Sequence, residues 1–207
     1  MTDRPMKNVI NLYNDQDLYT KFYVRLRSIF INVDAYSDYL PDNGTVVDIG
    51  CGYGLLLNFL ATSRPNCSFI GADLDKRRID VASKTIKKRD NVAFLLGDAR
   101  NLDFPDCRAA IMVDFLHHID LKDQITVLKR VYSFLNEGGV LIIAEIDPTS
   151  EPLKTSFIVD FILYKANKSR FRTPFEWNKV LKRIGFRVET IRKHIPLFAR
   201  VMYVCYK

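Results

Sequence analysis

The sequence predicts an α/β fold in three layers, with helices on both faces of a seven-stranded, mostly parallel sheet. Three observations support this prediction. From Thr45 onward, short apolar runs alternate with amphipathic segments, which is typical of strands joined by helices. The strand-like runs are apolar at consecutive positions, as in strands buried on both faces. Near the end of the chain, only three residues separate two extended runs, which is too few for a parallel crossover.

The first five strands follow one another in a regular order. Apolar runs predict strands at Thr45–Ile49, Ser68–Ala72, Val92–Leu96, Ala109–Val113 and Val140–Ile146. Amphipathic segments predict helices at Leu55–Thr62, Arg77–Lys88 and Lys122–Leu135. Gly138 and Gly139 follow the last of these helices and are expected to end it, because glycine adopts the left-handed conformation found at helix ends.

The carboxyl-terminal elements are arranged differently. A helix is predicted at Phe175–Ile184, ending at Gly185. Two extended runs follow, Phe186–His194 and Phe198–Tyr206, separated only by residues 195–197. They are therefore expected to pair as antiparallel strands, which makes the sheet mixed, with its last strand reversed.

Length and composition indicate a globular chain with one sizeable core. The chain has 207 residues, of which 48% are hydrophobic and 27% charged. It has no apolar run near the ~20 residues that a membrane span requires, and its start lacks the pattern of a secretory signal. Its four cysteines lie far apart without a CxxC pair, so neither a metal site nor a disulfide framework is predicted. We expect a cytoplasmic protein.

The net charge of +7 is concentrated in the last fifth of the chain. Residues 165–207 carry twelve basic and two acidic side chains, whereas the preceding residues are slightly acidic overall. Such a segment suits an acidic small molecule, an anionic membrane surface or nucleic acid as a partner. It is equally compatible with a solvated face that only aids solubility.

A glycine-rich turn joins the first predicted strand to its helix. Residues 48–54 read DIGCGYG, with glycine at positions 50, 52 and 54. Glycines let the chain turn sharply and let its backbone approach a ligand without an intervening Cβ. Asp73 follows at the end of the second strand, where a carboxylate can accept hydrogen bonds from both hydroxyls of a ribose.

Acidic residues stand at or near the carboxyl ends of five consecutive strands. They are Asp48, Asp73, Asp98, Asp114, and the pair Glu145 and Asp147. The carboxyl ends of parallel strands form the edge at which open α/β sheets bind ligands. The ordered set of glycines and acids therefore predicts a ligand site at this edge, rather than a series of unrelated turn residues.

The glycine spacing also limits the kind of nucleotide. The turn reads G-x-G-x-G, whereas the dinucleotide fingerprint is G-x-G-x-x-G. Asp48 would repel a pyrophosphate, and the turn contains no basic residue. The predicted ligand carries a ribose and positive charge, such as an ammonium and a sulfonium, and no phosphate chain.

With these motifs, the chain resembles class I S-adenosylmethionine-dependent methyltransferases of the small-molecule type, the group that includes the ubiquinone- and menaquinone-biosynthesis methyltransferases. The similar segments read VVDIGCGYG, GADLD, GDARNLDF and LNEGGVLIIAEID, and together they lie within residues 44–147. The reversed last strand is a hallmark of the same family. The resemblance implies a Rossmann-like fold, S-adenosylmethionine as cofactor and S-adenosylhomocysteine as product.

The resemblance implies a role for each residue of the turn and of the fourth strand's end. Those expected to line the methionine part are Gly50, Cys51, Gly52, Asp114 and Phe115. Asp48 would reach the ammonium group through water. Gly54 is the usual third glycine, whose alternative role is close helix packing.

The resemblance also implies which residues hold the adenosine. Asp73 would bind the ribose, with Leu74 beside the adenine. Asp98 would accept a hydrogen bond from the adenine amino group, and the backbone N–H of Ala99 would face the ring.

Methyl transfer to a hydroxyl or carbon acid needs a base, whereas transfer to a neutral amine or thiolate does not always need one. His117 and His118 follow the fourth strand at the ligand edge and are the candidate bases, although they could instead cap a helix or pack the wall of the site. Glu145 could act as a base or orient a neighbour. His194 falls in a terminal strand and is expected to be structural.

Two segments are expected to shape the acceptor site. The amino-terminal segment contains four aromatic residues that would fold over the cofactor: Tyr13, Tyr19, Phe22 and Tyr23. Phe157–Tyr164 is apolar except for Asp160 and could line a pocket, pack in the core or rest on a membrane with Lys165, Lys168 and Arg170 facing lipid. Together with the basic segment, it suggests an acidic aromatic or lipid-like acceptor.

We therefore expect a single methyltransferase domain in three parts. Residues 1–44 form a helical cap, residues 45–147 the cofactor-binding core, and residues 148–207 the substrate-region helices and the terminal strand pair. Three alternatives remain: an inactive cofactor-binding scaffold, an NAD-dependent dehydrogenase and an RNA methyltransferase. The glycine spacing disfavours the dehydrogenase. Nucleic acid is a disfavoured partner because no Asn/Asp-Pro-Pro-aromatic motif follows the fourth strand and no RNA-binding appendage is visible.

Overall fold

A computed structural model describes residues 3–86, 90–150, 169–192 and 200–207. The described chain divides into two compact units, residues 1–102 and residues 103–207. Its seven strands form one sheet in the order β3-β2-β1-β4-β5-β7-β6. The predicted mostly parallel, seven-stranded α/β fold is confirmed.

The first unit contains three strands and five helices. The strands are β1 (Gly44–Ile49), β2 (Cys67–Asp73) and β3 (Val92–Leu96). The helices are α1 (Asp3–Asn11), α2 (Leu18–Phe30), α3 (Val33–Ser37), α4 (Leu55–Ser63) and α5 (Lys76–Lys84). β1 pairs with β2, and β2 pairs with β3, both in parallel register. The strand boundaries lie within one residue of those predicted.

Phe94 fixes the packing of the first unit around two glycines. The ring of Phe94 occupies the space where a side chain at Gly54 or Gly71 would lie, and a Cβ built on Gly71 would stand 2.7 Å from Phe94 Cδ1. Because real Cβ atoms do not approach other atoms so closely, both positions require glycine. The expected packing role of Gly54 is therefore present.

The described residues of the second unit form four strands, two helices and one 3₁₀ turn. The strands are β4 (Cys107–Val113), β5 (Leu135–Ile146), β6 (Arg187–Ile191) and β7 (Arg200–Tyr206). The helices are α6 (Leu121–Phe134) and α7 (Pro174–Ile184), and the 3₁₀ turn covers Leu116–His118. β4 and β5 are parallel, whereas β7 runs antiparallel to both β5 and β6. The predicted reversal of the last strand is confirmed.

The prediction that Gly138 and Gly139 end α6 is wrong. The helix ends at Phe134, and β5 begins at the next residue, Leu135, which already has an extended backbone. Leu135 pairs with Cys107, after which the register shifts before the pairing continues. Gly138 has a φ of 73° within this irregular part of the strand. The glycines thus permit a bulge inside a strand, where the sequence suggested a helix end.

Tyr13, which follows α1, makes buried polar contacts within the first unit. The Tyr13 hydroxyl donates to the Tyr53 carbonyl at 2.8 Å and accepts from Asn58 Nδ2 at 3.1 Å. Asn58 Nδ2 also donates to Thr85 Oγ1 at 2.7 Å. Tyr13 is only 1% exposed, so these bonds are buried, and they join the segment after α1 to the glycine turn and to α4.

Several sequence-based predictions concern residues that the structure does not describe. Phe157–Tyr164, Lys165, Lys168 and His194 lie outside the described residues. All four cysteines are described, and their thiols are buried and form no disulfide bond. Among the described residues, no helix is both long and apolar enough to cross a membrane.

Replacing Tyr13 with Phe is expected to destabilise the protein by about 1–3 kcal/mol, because the Tyr53 carbonyl would lose its buried donor. Urea unfolding followed by circular dichroism measures the change. Tyr19→Phe is the matched control, since Tyr19 is 39% exposed, and it should change stability by less than about 0.5 kcal/mol. Equal stability of the two variants would contradict the assigned role of the Tyr13 hydroxyl.

Candidate functional site

The glycine turn follows β1 and leads into α4, as its sequence predicts. Gly50, Gly52 and Gly54 all have positive φ angles, of 79°, 56° and 76°. The backbone N–H groups of Gly50 and Cys51 donate to the Ala72 carbonyl, at 2.8 and 3.0 Å. The left-handed conformation, which glycine adopts without a steric penalty, thus lets the turn lie against the end of β2.

Asp73 contacts the glycine turn directly. Its Oδ2 atom accepts a hydrogen bond from the Gly52 backbone N–H at 2.9 Å, and its Oδ1 atom accepts one from the Asp75 N–H at 2.9 Å. The Arg78 guanidinium lies 3.9 Å from the same carboxylate. The structure therefore brings together two predicted site residues, Gly52 and Asp73.

Asp48 is a buried carboxyl group at the end of β1. It is 3% exposed, and burial raises its pKa from 3.8 to about 7. Arg27 of α2 opposes this shift, whereas the charge of Asp73 adds to it. The neighbouring Cys51 thiol is also buried, and burial raises its pKa well above the ordinary value. Asp48 thus changes its charge near neutral pH, while Cys51 stays a thiol.

Two of the four amino-terminal aromatic residues lie against the turn. The ring of Tyr23 packs edge-on against Tyr53 at a centroid distance of 4.9 Å, and the Tyr23 hydroxyl lies 3.8 Å from where a Gly52 Cβ would stand. Tyr13 bonds the Tyr53 carbonyl. Tyr19 and Phe22, by contrast, are 39% and 56% exposed.

The residues expected to hold adenine lie near the ends of β2 and β3. Asp98 accepts hydrogen bonds from Arg100, with Oδ2 2.5 Å from Nη2, and these bonds lower the pKa of its carboxyl group. Leu74 is 69% exposed, and Ala99 is partly exposed. Their roles toward adenine stay predictions.

In the second unit, Asp114 forms a buried ion pair at the end of β4. Its Oδ2 atom lies 2.5 Å from Arg200 Nη2, and both side chains are at most 6% exposed. Its φ of 51° is unusual for a residue with a side chain. The expected contact of Asp114 and Phe115 with methionine stays a prediction. Sequence reasoning did not anticipate the cation on β7.

Glu145, at the end of β5, organises the 3₁₀ turn that carries both histidines. Its Oε1 atom accepts hydrogen bonds from the backbone N–H groups of Leu116 at 2.8 Å and Phe115 at 3.3 Å. Its Oε2 atom bonds Nδ1 of His117, and both side chains are 1% exposed. Of the two roles considered for Glu145, orientation of a neighbour is therefore the one its contacts support.

A second set of contacts holds the His117 turn from the other side. The Phe171 ring stacks on the His117 ring at 5.0 Å, and the Arg170 N–H donates to the His117 carbonyl at 2.7 Å. The buried Gln124 side chain donates to the carbonyls of Leu116 and Arg170, at 3.0 and 2.9 Å. Residues 170–171 and the turn therefore form one hydrogen-bonded assembly, which fixes the His117 ring.

The sequence predicts the acidic residues at the strand ends but not the side chains that pair with them. Arg27 and Arg200 lie far in sequence from Asp48 and Asp114, the carboxylates that they approach. For Gln124, the sequence shows only a polar residue on the otherwise apolar face of a helix. Among the described residues, no group of three His, Cys, Asp or Glu side chains could hold a metal ion.

Part of the chain matches a known family model, and longer segments are similar to known proteins. Residues 46–139 match the family described as "Methyltransferase domain". The chain is 27% identical over 158 residues to O-methyltransferase 12 of Dictyostelium discoideum, covering 73% of this chain and 41% of that protein. It is 29% identical over 165 residues to desmethylxanthohumol 6'-O-methyltransferase of Humulus lupulus, covering 77% and 45%. It thus spans less than half the length of both relatives.

The fold has matching solved structures. An O-methyltransferase family protein from Burkholderia thailandensis superimposes with a TM-score of 0.74 at 21% identity, covering 95% of this chain and 61% of that one. The domain match, the relatives and the fold agree with the glycine turn, the carboxylate after β2 and the reversed last strand. The chain is thus similar, in its matched segment and in its fold, to class I S-adenosylmethionine-dependent methyltransferases.

Proposed function

We propose that the protein transfers the methyl group of S-adenosylmethionine to a hydroxyl group of a small molecule. The observation that carries this proposal is the buried His117–Glu145 pair in the turn after β4. A carboxylate on one ring nitrogen of a histidine orients the ring and stabilises its protonated form, which is the support that a base for a hydroxyl acceptor needs. Both relatives named above are O-methyltransferases.

The first unit has the chemistry that S-adenosylmethionine requires. The cofactor has two hydroxyls on its ribose, a sulfonium and an ammonium, and it carries no phosphate. Asp73 offers a carboxylate to the ribose, and Asp48 offers one to the ammonium. A Cβ on Gly52 would meet no atom closer than 3.8 Å in its own unit, so the absent side chain leaves space beside the backbone. When bound, the cofactor supplies a methyl group that is already activated by its positive sulfur.

His117 would act as the general base. Its Nδ1–H donates to Glu145, which leaves the lone pair on Nε2. Nε2 would take the proton of the acceptor hydroxyl, whose oxygen would receive the methyl group that S-adenosylmethionine supplies, with S-adenosylhomocysteine as the product. Glu145 stabilises the imidazolium that results. His118 lies 4.1 Å from the His117 ring and would pack against it.

The acceptor is proposed to be an acidic aromatic or lipid-like compound. The basic residues of the carboxyl-terminal segment and the apolar sequence at 157–164 favour such a molecule. The resemblance to ubiquinone- and menaquinone-biosynthesis methyltransferases also favours such an acceptor and stays a prediction.

The alternatives are a binding scaffold without activity and an RNA methyltransferase. Formation of S-adenosylhomocysteine with panels of phenols, lipid extracts and RNA separates all three functions.

Binding of S-adenosylmethionine is expected to depend on pH through Asp48. The carboxyl group must be ionised to attract the cationic cofactor, so affinity should rise about tenfold between about pH 5.5 and pH 7. Asp48→Asn should weaken binding at pH 7 and remove most of this dependence. Isothermal titration calorimetry measures both effects. An unchanged pH dependence in the variant would show that another group is responsible.

The stability of the free protein should show the opposite trend. The folded-state pKa of Asp48, about 7, exceeds the ordinary value of 3.8. The folded protein therefore retains a proton that the unfolded chain loses, and its contribution to stability is full below about pH 4 and lost as the pH rises through about 7. Urea unfolding across this range, compared with Asp48→Asn, isolates the contribution.

Replacing His117 with Asn is expected to lower kcat by about 100-fold or more, because the base is lost. Affinity for S-adenosylmethionine should stay within about threefold, because the assigned cofactor contacts remain. His118→Asn is the matched control and should keep most of the activity, since Glu145 orients His117. Greater loss in the His118 variant would transfer the role of base to that residue. Cofactor binding with no turnover of any acceptor would favour the scaffold.

A further inference from the structure

The basic residues of the carboxyl-terminal segment fall into two groups. Most of those described have partners within their own unit. The partnered residues are Arg170 with Asp120 at 3.3 Å, Arg172 with Gln124 at 2.7 Å, Arg187 with Glu189 at 3.4 Å, Arg200 with Asp114, and Lys207 with Glu137 at 3.8 Å. Four of these five contacts pair the cation with a carboxylate and so offset its charge locally, whereas the partner of Arg172 is a neutral amide.

Lys179 and Lys182 belong to the second group. Both are exposed on α7, and no carboxylate of the described residues lies within 4 Å of either ammonium group. Arg192 extends the positive surface from just beyond β6, where it is 69% exposed and 3.8 Å from Asp147. The cations of α7 that have no carboxylate of the described residues within 4 Å are Lys179, Lys182 and Arg183, and the exposed Arg192 adjoins the first two at the end of β6.

The two lysines and Arg192 line one shallow, open depression of about 600 Å³. Phe175, Asn178 and Thr190 complete most of its wall, and no acidic residue lines it. Asn178 Nδ2 bonds Thr190 Oγ1 at 2.8 Å and thereby joins the helix to the strand beneath the depression. This bond links the two elements that carry the cations.

Phe175 adds an apolar anchor to the same face. It lies four and seven residues before Lys179 and Lys182, so the three side chains share one stripe of the helix. Its side chain is 78% exposed, whereas Trp177 and Leu181, on the other side of α7, are at most 1% exposed. The exposed phenyl ring therefore gives this positively charged face an apolar component as well.

We propose that this face, formed by Phe175, Lys179, Lys182 and Arg192, docks on the anionic surface of a lipid bilayer. The phenyl ring enters the boundary between headgroups and acyl chains, and the three cations meet lipid phosphates and carboxylates. Two of the three cations are lysines, which act as point charges without the forked geometry of a nucleic-acid reader. The face also has one aromatic ring rather than the series on which successive bases stack. The proposal does not depend on the proposed methyl transfer.

Sedimentation with lipid vesicles tests the proposal on the full chain. We expect binding to phosphatidylcholine vesicles that contain about 30% phosphatidylserine, little binding to pure phosphatidylcholine, and weakening as salt rises. The double variant Lys179→Glu/Lys182→Glu should bind at least about tenfold more weakly. Phe175→Ser should bind several-fold more weakly, because the apolar anchor is lost.

Matched controls separate this face from general charge and hydrophobicity. Lys122→Glu/Lys129→Glu makes the same charge change on exposed positions of α6, and Phe22→Ser removes an equally large exposed ring from α2. Both should bind vesicles like the unmodified protein, and thermal unfolding checks that every variant is folded. Equal loss in the controls, equal binding to neutral vesicles, or binding to a single-stranded RNA oligonucleotide in place of vesicles would overturn the proposal.

Discussion

Each carboxylate at a strand end of this protein must be compensated, because an unpaired charge in a buried position is strongly unfavourable. The chain compensates each one differently. Asp73 accepts two backbone N–H groups, Asp114 pairs with an arginine, and Glu145 bonds both the backbone and a histidine. The local folds of the glycine turn and of the 3₁₀ turn follow from these contacts. The acids are therefore as important to the shape of the chain as to its chemistry.

The kind of compensation determines what each acid is able to do. At Asp73 the carboxylate accepts hydrogen bonds from the backbone N–H groups of Gly52 and Asp75, which hold it against the glycine turn. At Asp48 burial outweighs the attraction of Arg27, so its pKa rises to about 7 and its charge responds to the solution. Glu145 gives its oxygens to the turn and to His117, which leaves it an orienting role.

The same principle distinguishes the two groups of basic residues. Arg170 and Arg187 each form an ion pair with a nearby carboxylate, so their positive charge is offset within the local structure. Lys179 and Lys182 of α7 have no carboxylate within 4 Å among the described residues, so their positive charge faces the solvent. Net charge alone does not distinguish these cases, because it counts paired and unpaired residues equally.

The sequence by itself determined the order of strands and helices, the reversed last strand, the glycine turn and the acids at the strand ends. These features depend on local periodicity and on glycine positions, which can be seen in short segments. It did not determine that Gly138 lies in a strand, because the same glycine signal suits a bulge and a helix end. Only the tertiary structure decided the partners, such as Arg200 for Asp114 and Glu145 for His117. Those pairs join residues far apart in the chain, and their contacts depend on how the strands are placed, which no local pattern records.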